Sequence, residues 1–358
     1  MSGERIRVLV AEDSPTVRRL LCDVFAADPG FEVVGEAADG SRAIDLCGEL
    51  RPDVITMDMA MPVMTGLAAT EYIMAHFPTP ILVVSASLNR GDLFRTYDAL
   101  AAGAVDVLEK PRGTEVDGAW ERTFLSAVRL VARVRVIRHL RGRLSARAST
   151  PAPGPERLVT RPERNLQVIA IGASTGGPAA ILEVLQALPP EVRVPLLVVL
   201  HINEPFGASF AEWLESQTGR QAGYPGEGDE VTAWAGRIAM AQPGFHLEVS
   251  MGRFRRTLAP ERHSCRPSVD VLFESVAREY GPAAAACVLT GMGCDGASGL
   301  LAVRQAGGAT IAQDQESSVV WGMPRAAAES GGAERVLSLA EIGPALASYA
   351  VRRERRST

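Results

Sequence analysis

Short apolar runs alternate with amphipathic segments through the first third of the 358-residue chain. The apolar runs are rich in β-branched residues, and helical patterns of polar and apolar positions separate them. They fall near 6–11, 32–37, 54–58, 80–85 and 105–108. Strands that alternate with helices predict βα units, and therefore a parallel sheet with helices on both faces. The pattern predicts a doubly wound α/β domain at the N-terminus.

A second alternation follows a break in the pattern. A helical pattern runs from about Trp120 to Leu140, and a stretch rich in arginine and proline then shows no periodicity. The later apolar strands lie near 167–172, 195–200 and 284–290, the helices near 178–187, 206–216, 268–280 and 297–306, and a β-rich insertion near 224–257. We expect a second doubly wound α/β domain. The predicted units are 1–120, the helix and linker 121–165, the second domain 166–350 and a charged tail 351–358.

The composition indicates the size of the hydrophobic cores, the compartment and the excluded partners of the protein. The hydrophobic content of 47% can fill two ordinary cores. The five cysteines are scattered and include no C-x-x-C pair, so neither a disulfide framework nor a zinc site is indicated, and a reducing compartment is favoured. No signal-type segment or membrane-length apolar run is found, which predicts a cytoplasmic protein without membrane insertion. Residues 1–115 hold 18 acidic and 10 basic residues, which argues against nucleic-acid binding there.

Polar residues end the strands of the first predicted sheet, namely Glu12, Asp13, Asp58, Ser85 and Lys110. Strand carboxyl ends meet at one edge of a parallel sheet. Three carboxylates there, Glu12, Asp13 and Asp58, suit a Mg²⁺ ion. Asp58 can then accept a phosphoryl group, with Ser85 and Lys110 contacting its oxygens. Lys110 is the only lysine in the chain. For Asp13 or Ser14 taken alone, helix capping is the favoured explanation.

The segments Asp58-Met59-Ala60-Met61-Pro62, Val84-Ser85-Ala86 and Lys110-Pro111 resemble the receiver domains of response regulators over about residues 5–115. The resemblance implies the flavodoxin-like fold. It makes Asp58 the phosphoacceptor, Glu12 and Asp13 the metal carboxylates, Ser85 the switch hydroxyl and Lys110 the receiver lysine. Glu12 stands where many receivers have Asp, and Val107 replaces the usual aromatic switch residue.

The second domain opens with a strand followed by Gly172-Ala173-Ser174-Thr175-Gly176, which satisfies G-x-S-x-G. Such a turn raises a serine above the sheet edge and points backbone N–H groups at developing negative charge. His201 follows the next apolar strand and is the predicted base. Asp295 follows a later strand and is the predicted carboxylate that orients His201. His246 and His263 lie in apparently irregular segments, and we expect surface or substrate-facing positions for them.

Two alternatives to a serine hydrolase stay open at this point. Gly291, Gly293 and Gly296 form G-x-G-x-x-G after a strand, and Asp314 follows the next strand, as in dinucleotide-binding oxidoreductases. Asp295 would then place a carboxylate in the loop that must hold a pyrophosphate. A non-catalytic signalling scaffold is the other alternative, and it requires the three triad-type residues to share one sheet edge by accident.

Four motifs resemble the chemotaxis protein-glutamate methylesterases (CheB): residues 172–177, 266–273, 289–297 and 312–324. The resemblance implies hydrolysis of glutamate γ-methyl esters on methyl-accepting chemotaxis receptors, possible deamidation of receptor glutamines, and phosphorylation by the chemotaxis histidine kinase. It makes Ser174 the nucleophile, His201 the base and Asp295 its orienting carboxylate, with Thr175 and Met292 at the oxyanion and substrate edge. The esterase needs no cofactor, whereas phosphorylation uses Mg²⁺. The segment 200–205 departs from the family pattern around the histidine.

Overall fold

The computed structural model describes residues 5–86, 90–111, 118–134, 166–202 and 206–350. The N-terminal domain has five parallel strands in the order β2-β1-β3-β4-β5, with helices between them, as the pattern predicts. Its strands are β1 (Ile6–Ala11), β2 (Phe31–Ala37), β3 (Val54–Met57), β4 (Ile81–Ser85) and β5 (Asp106–Glu109). Its helices are α1 (Pro15–Ala26), α2 (Gly40–Leu50), α3 (Gly66–His76), α4 (Arg90–Ala101) and α5 (Ala119–Val131).

Side-chain caps start three of these helices in the loops that follow the strands. The Ser14 hydroxyl accepts a hydrogen bond from the Val17 N–H at 3.4 Å, and the Asp39 carboxylate accepts one from the Arg42 N–H at 2.9 Å. Thr65 caps α3 in the same way. Each cap satisfies an amide that the first helical turn leaves without a partner. The caps therefore fix where the chain turns at the sheet edge that carries the polar residues.

Helix α5 is shorter than predicted and packs on the N-terminal sheet. It ends at Val131, and residues 132–134 form a turn, so the predicted continuous helix to Leu140 is interrupted. Phe124 and Val128 are fully buried in the N-terminal core, and the Phe124 and Phe25 rings lie 5.1 Å apart. The predicted linker 141–165 and tail 351–358 lie outside the described residues.

The C-terminal domain contains a seven-stranded parallel sheet in the order β14-β13-β12-β6-β7-β9-β8. Its strands are β6 (Val168–Ala173), β7 (Leu196–Leu200), β8 (Ala222–Gly223), β9 (Ile238–Met240), β12 (Ala284–Val288), β13 (Ala309–Gln313) and β14 (Arg335–Leu337). The helices are α6 (Gly177–Gln186), α7 (Phe206–Thr218), α8 (Val269–Tyr280), α9 (Ala297–Gln305), α10 (Met323–Glu329) and α11 (Leu339–Ala350). Strand order reverses beside β6, which is where open α/β sheets form their binding crevice.

The β-rich insertion predicted near 224–257 is present. Part of it adds β9 to the main sheet, and the rest forms an antiparallel hairpin of β10 (His246–Ser250) and β11 (Arg253–Thr257). The hairpin packs on α8 through Leu247, Val249 and Phe254. Within the described ranges, none of the helices has the length and apolar character needed to span a bilayer.

The two domains contact each other through α4 and α7. The Trp213 Nε1–H donates to Asp98 at 2.8 Å, and the Tyr97 hydroxyl donates to the Phe206 carbonyl. Tyr97 packs edge-on against Phe210, with ring centroids 5.3 Å apart. Trp213 and Tyr97 are completely buried, so this contact is part of one continuous core.

Candidate active site and phosphoacceptor site

Lys110 lies between two buried carboxylates at the edge of the N-terminal sheet. Its Nζ is 2.8 Å from Glu12 Oε2 and 3.0 Å from Asp58 Oδ1. Glu12 and Asp58 directly follow β1 and β3, which are neighbouring strands, and the Asp58 N–H donates to the Ala11 carbonyl at 2.9 Å. Parallel pairing therefore brings together residues that are 46 positions apart in the sequence.

The electrostatics of this cluster suit a bound cation. Burial raises the pKa of Glu12 to about 7, and the negative charge of Asp58 adds to the effect, while Lys110 opposes it. One oxygen each from Glu12, Asp13 and Asp58 lies within 4.8 Å of the others. A hard divalent ion would compensate the repulsion between these oxygens. Glu12, Asp13 and Asp58 are thus the residues that could hold a Mg²⁺ ion.

Ser85 and Val107 lie on the adjacent strands β4 and β5. Ser85 is 3% exposed, and its carbonyl accepts the Lys110 N–H at 3.0 Å, so the two residues are neighbours at the same edge as Asp58. Val107 is half-buried against the core of the same domain. The roles of Asp58, Ser85 and Lys110 in phosphorylation stay predictions.

Ser174 lies on the turn between β6 and α6. Its N–H donates to the Thr290 carbonyl at 3.0 Å, and the Thr290 hydroxyl donates to the Thr175 carbonyl at 3.0 Å. Gly176 has a φ of +74°, and a Cβ there would lie 2.6 Å from the Val319 Cβ. The turn therefore needs glycine for both its backbone conformation and its packing. Ser174 is half-buried beside the start of a helix.

His201 and Asp295 form a hydrogen-bonded pair at the same sheet edge. His201 Nε2 lies 2.9 Å from Asp295 Oδ2, and the His201 backbone N–H donates to the Ala173 carbonyl at 3.0 Å. The second contact places His201 next to the Ser174 turn. Among the described residues, no hydrogen bond joins the Ser174 hydroxyl to the imidazole. The Nδ1 atom instead faces the Cys265 thiol at 3.7 Å.

Asp295 is held over the N-terminus of α8. Its carboxylate accepts from the Ser268 hydroxyl at 2.7 Å, from the Val269 N–H at 2.7 Å and from the Asp270 N–H at 3.0 Å. Burial opposes ionisation, but the hydrogen bonds outweigh it and lower the pKa of Asp295. For His201, burial opposes protonation, yet the hydrogen bonds with Asp295 and Cys265 raise its pKa to about 9. An ionised carboxylate therefore orients the imidazole and supports its positive charge.

Known proteins match both halves of this arrangement. Residues 169–346 match the family model described as CheB methylesterase, and residues 8–116 match the response regulator receiver domain. A protein-glutamate methylesterase/protein-glutamine glutaminase 2 of Anaeromyxobacter dehalogenans is 46% identical over 345 residues, which cover 96% of this chain and 97% of that one. The chain belongs to the CheB methylesterase family. A Myxococcus xanthus relative of the same description is 42% identical over 352 residues and covers 97% of this chain and 98% of its own.

Thr175 and Met292 border the Ser174 turn in this CheB family member. The Thr175 hydroxyl donates to Asp106 of the receiver domain at 3.2 Å, and the Gly176 N–H donates to the Val105 carbonyl at 3.2 Å. Met292 is 60% exposed on the loop after β12. The receiver domain thus contacts the Ser174 turn directly. The roles of Thr175 and Met292 in oxyanion or substrate binding stay predictions.

The prediction of a surface position for His246 is wrong. His246 begins β10 and is completely buried. Its Nδ1 accepts from the Ser268 N–H at 3.1 Å, and its Nε2 lies 3.1 Å from the Pro260 carbonyl. Because a backbone N–H only donates and a carbonyl only accepts, these partners require the neutral tautomer with the proton on Nε2. His246 therefore supports the α8 N-terminus that holds Asp295.

His263 is exposed, as expected, but it also belongs to the surroundings of Asp295. Its Nε2 lies 3.1 Å from Asp270 Oδ2, and its Nδ1 is 3.5 Å from the Cys294 thiol. Sequence reasoning assigned no separate role to Ser268, Asp270 or Cys265. The capping sequence Ser268-Val269-Asp270 was the available signal for the first two, since a serine before an apolar helix marks an N-terminus. No local pattern pointed to Cys265.

The glycines of the second candidate motif serve the loop that carries Asp295. A Cβ on Gly291 would lie 2.7 Å from the Ser174 Cβ, so this glycine permits the close approach of the two loops. Asp314 accepts from the Ser317 hydroxyl at 2.6 Å within its own loop. Asp295 occupies the α8 N-terminus and contacts His201. The family match makes the dinucleotide interpretation of this motif wrong.

Proposed function

We propose that this protein hydrolyses glutamate γ-methyl esters on methyl-accepting chemotaxis receptors, with Ser174 as nucleophile, His201 as base and Asp295 as the carboxylate that orients His201. The observation that carries the proposal is the His201–Asp295 hydrogen bond of 2.9 Å, formed beside the Ser174 turn and supported by the α8 N-terminus. Relatives that align over almost the whole chain are described as protein-glutamate methylesterases.

The reaction takes two acyl-transfer steps. The Ser174 oxygen attacks the ester carbonyl and gives its proton to His201, which passes it to the leaving methoxide to release methanol. Water then attacks the γ-glutamyl ester of Ser174, with His201 again taking and returning the proton. Because Nε2 is held by Asp295, Nδ1 is the nitrogen that accepts this proton. The imidazole has to exchange its Cys265 neighbour for the serine hydroxyl to do so.

Backbone amides around the Ser174 turn would stabilise the oxyanion. The turn leads into α6, whose N-terminal end carries a partial positive charge that favours an oxyanion nearby. Thr175 and Met292 are proposed to border the acyl group, and the exposed Met292 would contact the receptor. The chemistry requires no cofactor in this domain. The same acyl-enzyme would form from a receptor glutamine with release of ammonia, which supports a glutaminase activity like that named for the relatives.

Phosphorylation of Asp58 is proposed to regulate access to Ser174. The chemotaxis histidine kinase would supply the phosphoryl group, and Glu12, Asp13 and Asp58 would hold Mg²⁺ to neutralise it. Ser85 and Lys110 would bind the phosphoryl oxygens in place of the present Lys110–Asp58 pair. Val105 and Asp106 contact residues 175–176, so repacking of β5 and α4 on phosphorylation would uncover the site.

The enzyme is proposed to act in the cytoplasm, without nucleic acid as a partner and without insertion into the membrane. The five cysteines are free thiols, which agrees with a reducing compartment. The receptors would be bound only as substrates.

Methanol release from methylated receptor, with and without a small-molecule phosphodonor, tests the proposal. Ser174→Ala should abolish release, and Asp58→Asn should abolish only the stimulation by the donor. Donor-independent release that survives in Ser174→Ala would refute the assignment of the nucleophile. Absence of methanol release in every preparation would instead favour a non-catalytic scaffold.

A further inference from the structure

Among the described residues, His201 and Asp295 also form a cluster with Cys265, whose thiol faces Nδ1 of His201. One donor atom from each of His201, Cys265 and Asp295 lies within 4.8 Å of the other two. The cluster combines a thiol, an imidazole and a carboxylate, which are the ligand types that bind Zn²⁺. The three residues come from separate loops, so no spacing in the sequence indicates the site. The absence of a C-x-x-C pair therefore says nothing about it.

We propose that Cys265 Sγ and His201 Nδ1 bind a thiophilic divalent ion such as Zn²⁺, and that this ion reversibly inhibits the enzyme. The two atoms are 3.7 Å apart. Ligands of one tetrahedral zinc with ordinary Zn–S and Zn–N bonds are separated by about 3.5 Å. The pair thus needs only a small adjustment to share an ion. Solvent completes the coordination.

Asp295 occupies the position from which a carboxylate orients a metal-bound histidine. It accepts the Nε2–H of His201 at 2.9 Å, on the opposite side of the ring from Cys265. Histidines that bind metals commonly donate their other ring N–H to a carboxylate, which fixes the ring and makes the free nitrogen a better ligand. The contact proposed to orient His201 for proton transfer therefore also prepares it for a metal.

The loop that carries Cys265 is held rigidly. The Arg262 N–H donates to the Cys265 carbonyl at 3.1 Å, and the Cys265 N–H donates to the Arg262 carbonyl at 2.9 Å. The two residues between them, His263 and Ser264, have φ values of +53° and +59°. Backbone in this region is sparsely populated by residues other than glycine and clusters at functional sites. The turn fixes the thiol beside the imidazole and lowers the entropy cost of binding an ion.

Charge near the site does not exclude a cation. The Arg262 guanidinium, on the same loop as Cys265, pairs with Glu274 at 2.7 Å and lies 3.7 Å from Asp270. Its charge is thus matched by carboxylates on α8. Binding would release the thiol proton of Cys265 to solvent, since the thiolate is the ligand. Cys265 and His201 are each partly exposed, so an ion can reach both.

The ion would occupy Nδ1, which is the nitrogen that has to accept the proton of Ser174. The inhibition therefore rests on the proposed role of His201, whereas the binding itself does not. A separate group, His263, Asp270 and Asp295 with Cys294 close to His263, competes as a location for the ion. The two cysteines give a matched pair of variants, because each faces the Nδ1 atom of a different histidine.

Binding is tested with Co²⁺ as a spectroscopic substitute for Zn²⁺ on the full-length Ser174→Ala protein. We expect a thiolate-to-cobalt absorption band that saturates at one ion and disappears when Zn²⁺ is added. The band should be lost in Cys265→Ser and Cys265→Ala and retained in Cys294→Ser, with circular dichroism verifying that each variant is folded. No band, a band that persists without Cys265, or a band lost without Cys294 overturns the site.

Inhibition is tested separately by methanol release in Zn²⁺-buffered solutions, with each variant compared with its own rate in chelator. Loss of a ligand should raise the half-inhibiting Zn²⁺ concentration at least about tenfold in Cys265→Ser, because even outer-shell changes cost 10–100-fold in affinity. Cys294→Ser should leave that concentration unchanged. Equal sensitivity of wild type and Cys265→Ser would overturn inhibition at this site. If the esterase activity proves absent, the cobalt experiment still decides the binding.

Discussion

At the scale of single residues, the pH dependence of catalysis should be set by His201. Its hydrogen bonds with Asp295 and Cys265 outweigh burial and raise its pKa to about 9. The base has to be neutral to take a proton from Ser174, so activity is lost as the pH falls below that value. We expect kcat/KM, measured in chelator, to rise with pH, to be half-maximal near pH 9 and to level off only above it, because this ratio reports the free enzyme.

The Cys265→Ser variant checks the cause of this shift. Removing the thiol removes one of the contacts that raise the pKa of His201, so kcat/KM should rise at a lower pH than in the wild type. The Cys294 thiol faces His263, so Cys294→Ser should leave the pH dependence of kcat/KM unchanged. A wild-type kcat/KM that is half-maximal near the ordinary histidine pKa of about 6.5 would contradict the prediction.

Replacement of Asp295 should lower both the rate of catalysis and the stability of the protein. In Asp295→Asn, one oxygen becomes an NH₂ group that faces the donors on Ser268, Val269, Asp270 or His201. We expect kcat to fall by roughly 10⁴-fold through the wrong imidazole tautomer. Each buried donor left unpaired should also cost about 1–3 kcal/mol of the free energy of unfolding. Methanol release and urea unfolding measure the two effects.

Glu329→Gln provides the control for that variant. Glu329 is an exposed carboxylate on α10 that pairs with Arg325 four positions earlier. Its replacement should leave kcat unchanged and alter stability by less than about 0.5 kcal/mol. A similar kcat for Asp295→Asn and wild type would contradict the orienting role.

At the scale of elements, the strand-to-helix turn at Ser174 depends on Gly176. Alanine there has to adopt a φ of +74° and to enter the space of Val319. Gly228→Ala is the matched control, because Gly228 has a φ of +84° but nothing within 4 Å of a Cβ. We expect the control to lose about 1–2 kcal/mol of stability from backbone strain alone. Gly176→Ala should lose roughly 1–3 kcal/mol more through overpacking and also lose methanol release. Equal losses in denaturant unfolding would contradict the packing argument.

Hydrophobic periodicity predicted the positions of many strands and helices. Strands β13 and β14 and helices α10 and α11 had no predicted range. The eight strands that had a predicted range, and the helices α6 to α9, begin and end within two residues of the predicted positions. Buried parallel strands are short apolar runs that glycine and polar residues bound, which makes their limits predictable. Helix α5 was the exception. The arginine-rich continuation after Val131 keeps an amphipathic pattern, but the turn at 132–134 ends the helix.

At the scale of the whole molecule, the contact between α4 and α7 should restrain basal activity. Asp98→Ala leaves the buried Trp213 Nε1–H without its acceptor, which costs the docked arrangement about 1–3 kcal/mol. Because 1.4 kcal/mol corresponds to a factor of ten, we expect donor-independent methanol release to rise roughly tenfold. Arg95→Ala is the control, since exposed Arg95 pairs with Asp92 within α4. Unchanged release in Asp98→Ala would argue against a restraining interface.

The sequence by itself determined the two parallel sheets and the residues at their carboxyl edges. Apolar periodicity fixes which residues are buried, and the direction of parallel strands puts Ser174, His201 and Asp295, or Glu12 and Asp58, on one edge. These are consequences of local pattern and strand polarity. They do not require knowledge of how loops fold back.

Only the tertiary structure decided what surrounds those residues. Burial of His246, the support of Asp295 by the α8 N-terminus, and the approach of Cys265 to His201 join segments between 22 and 64 positions apart. The same holds for the contact of Asp106 with Thr175 across the two domains. Such contacts depend on loop conformation and on the packing of one layer against another, which short-range periodicity does not encode.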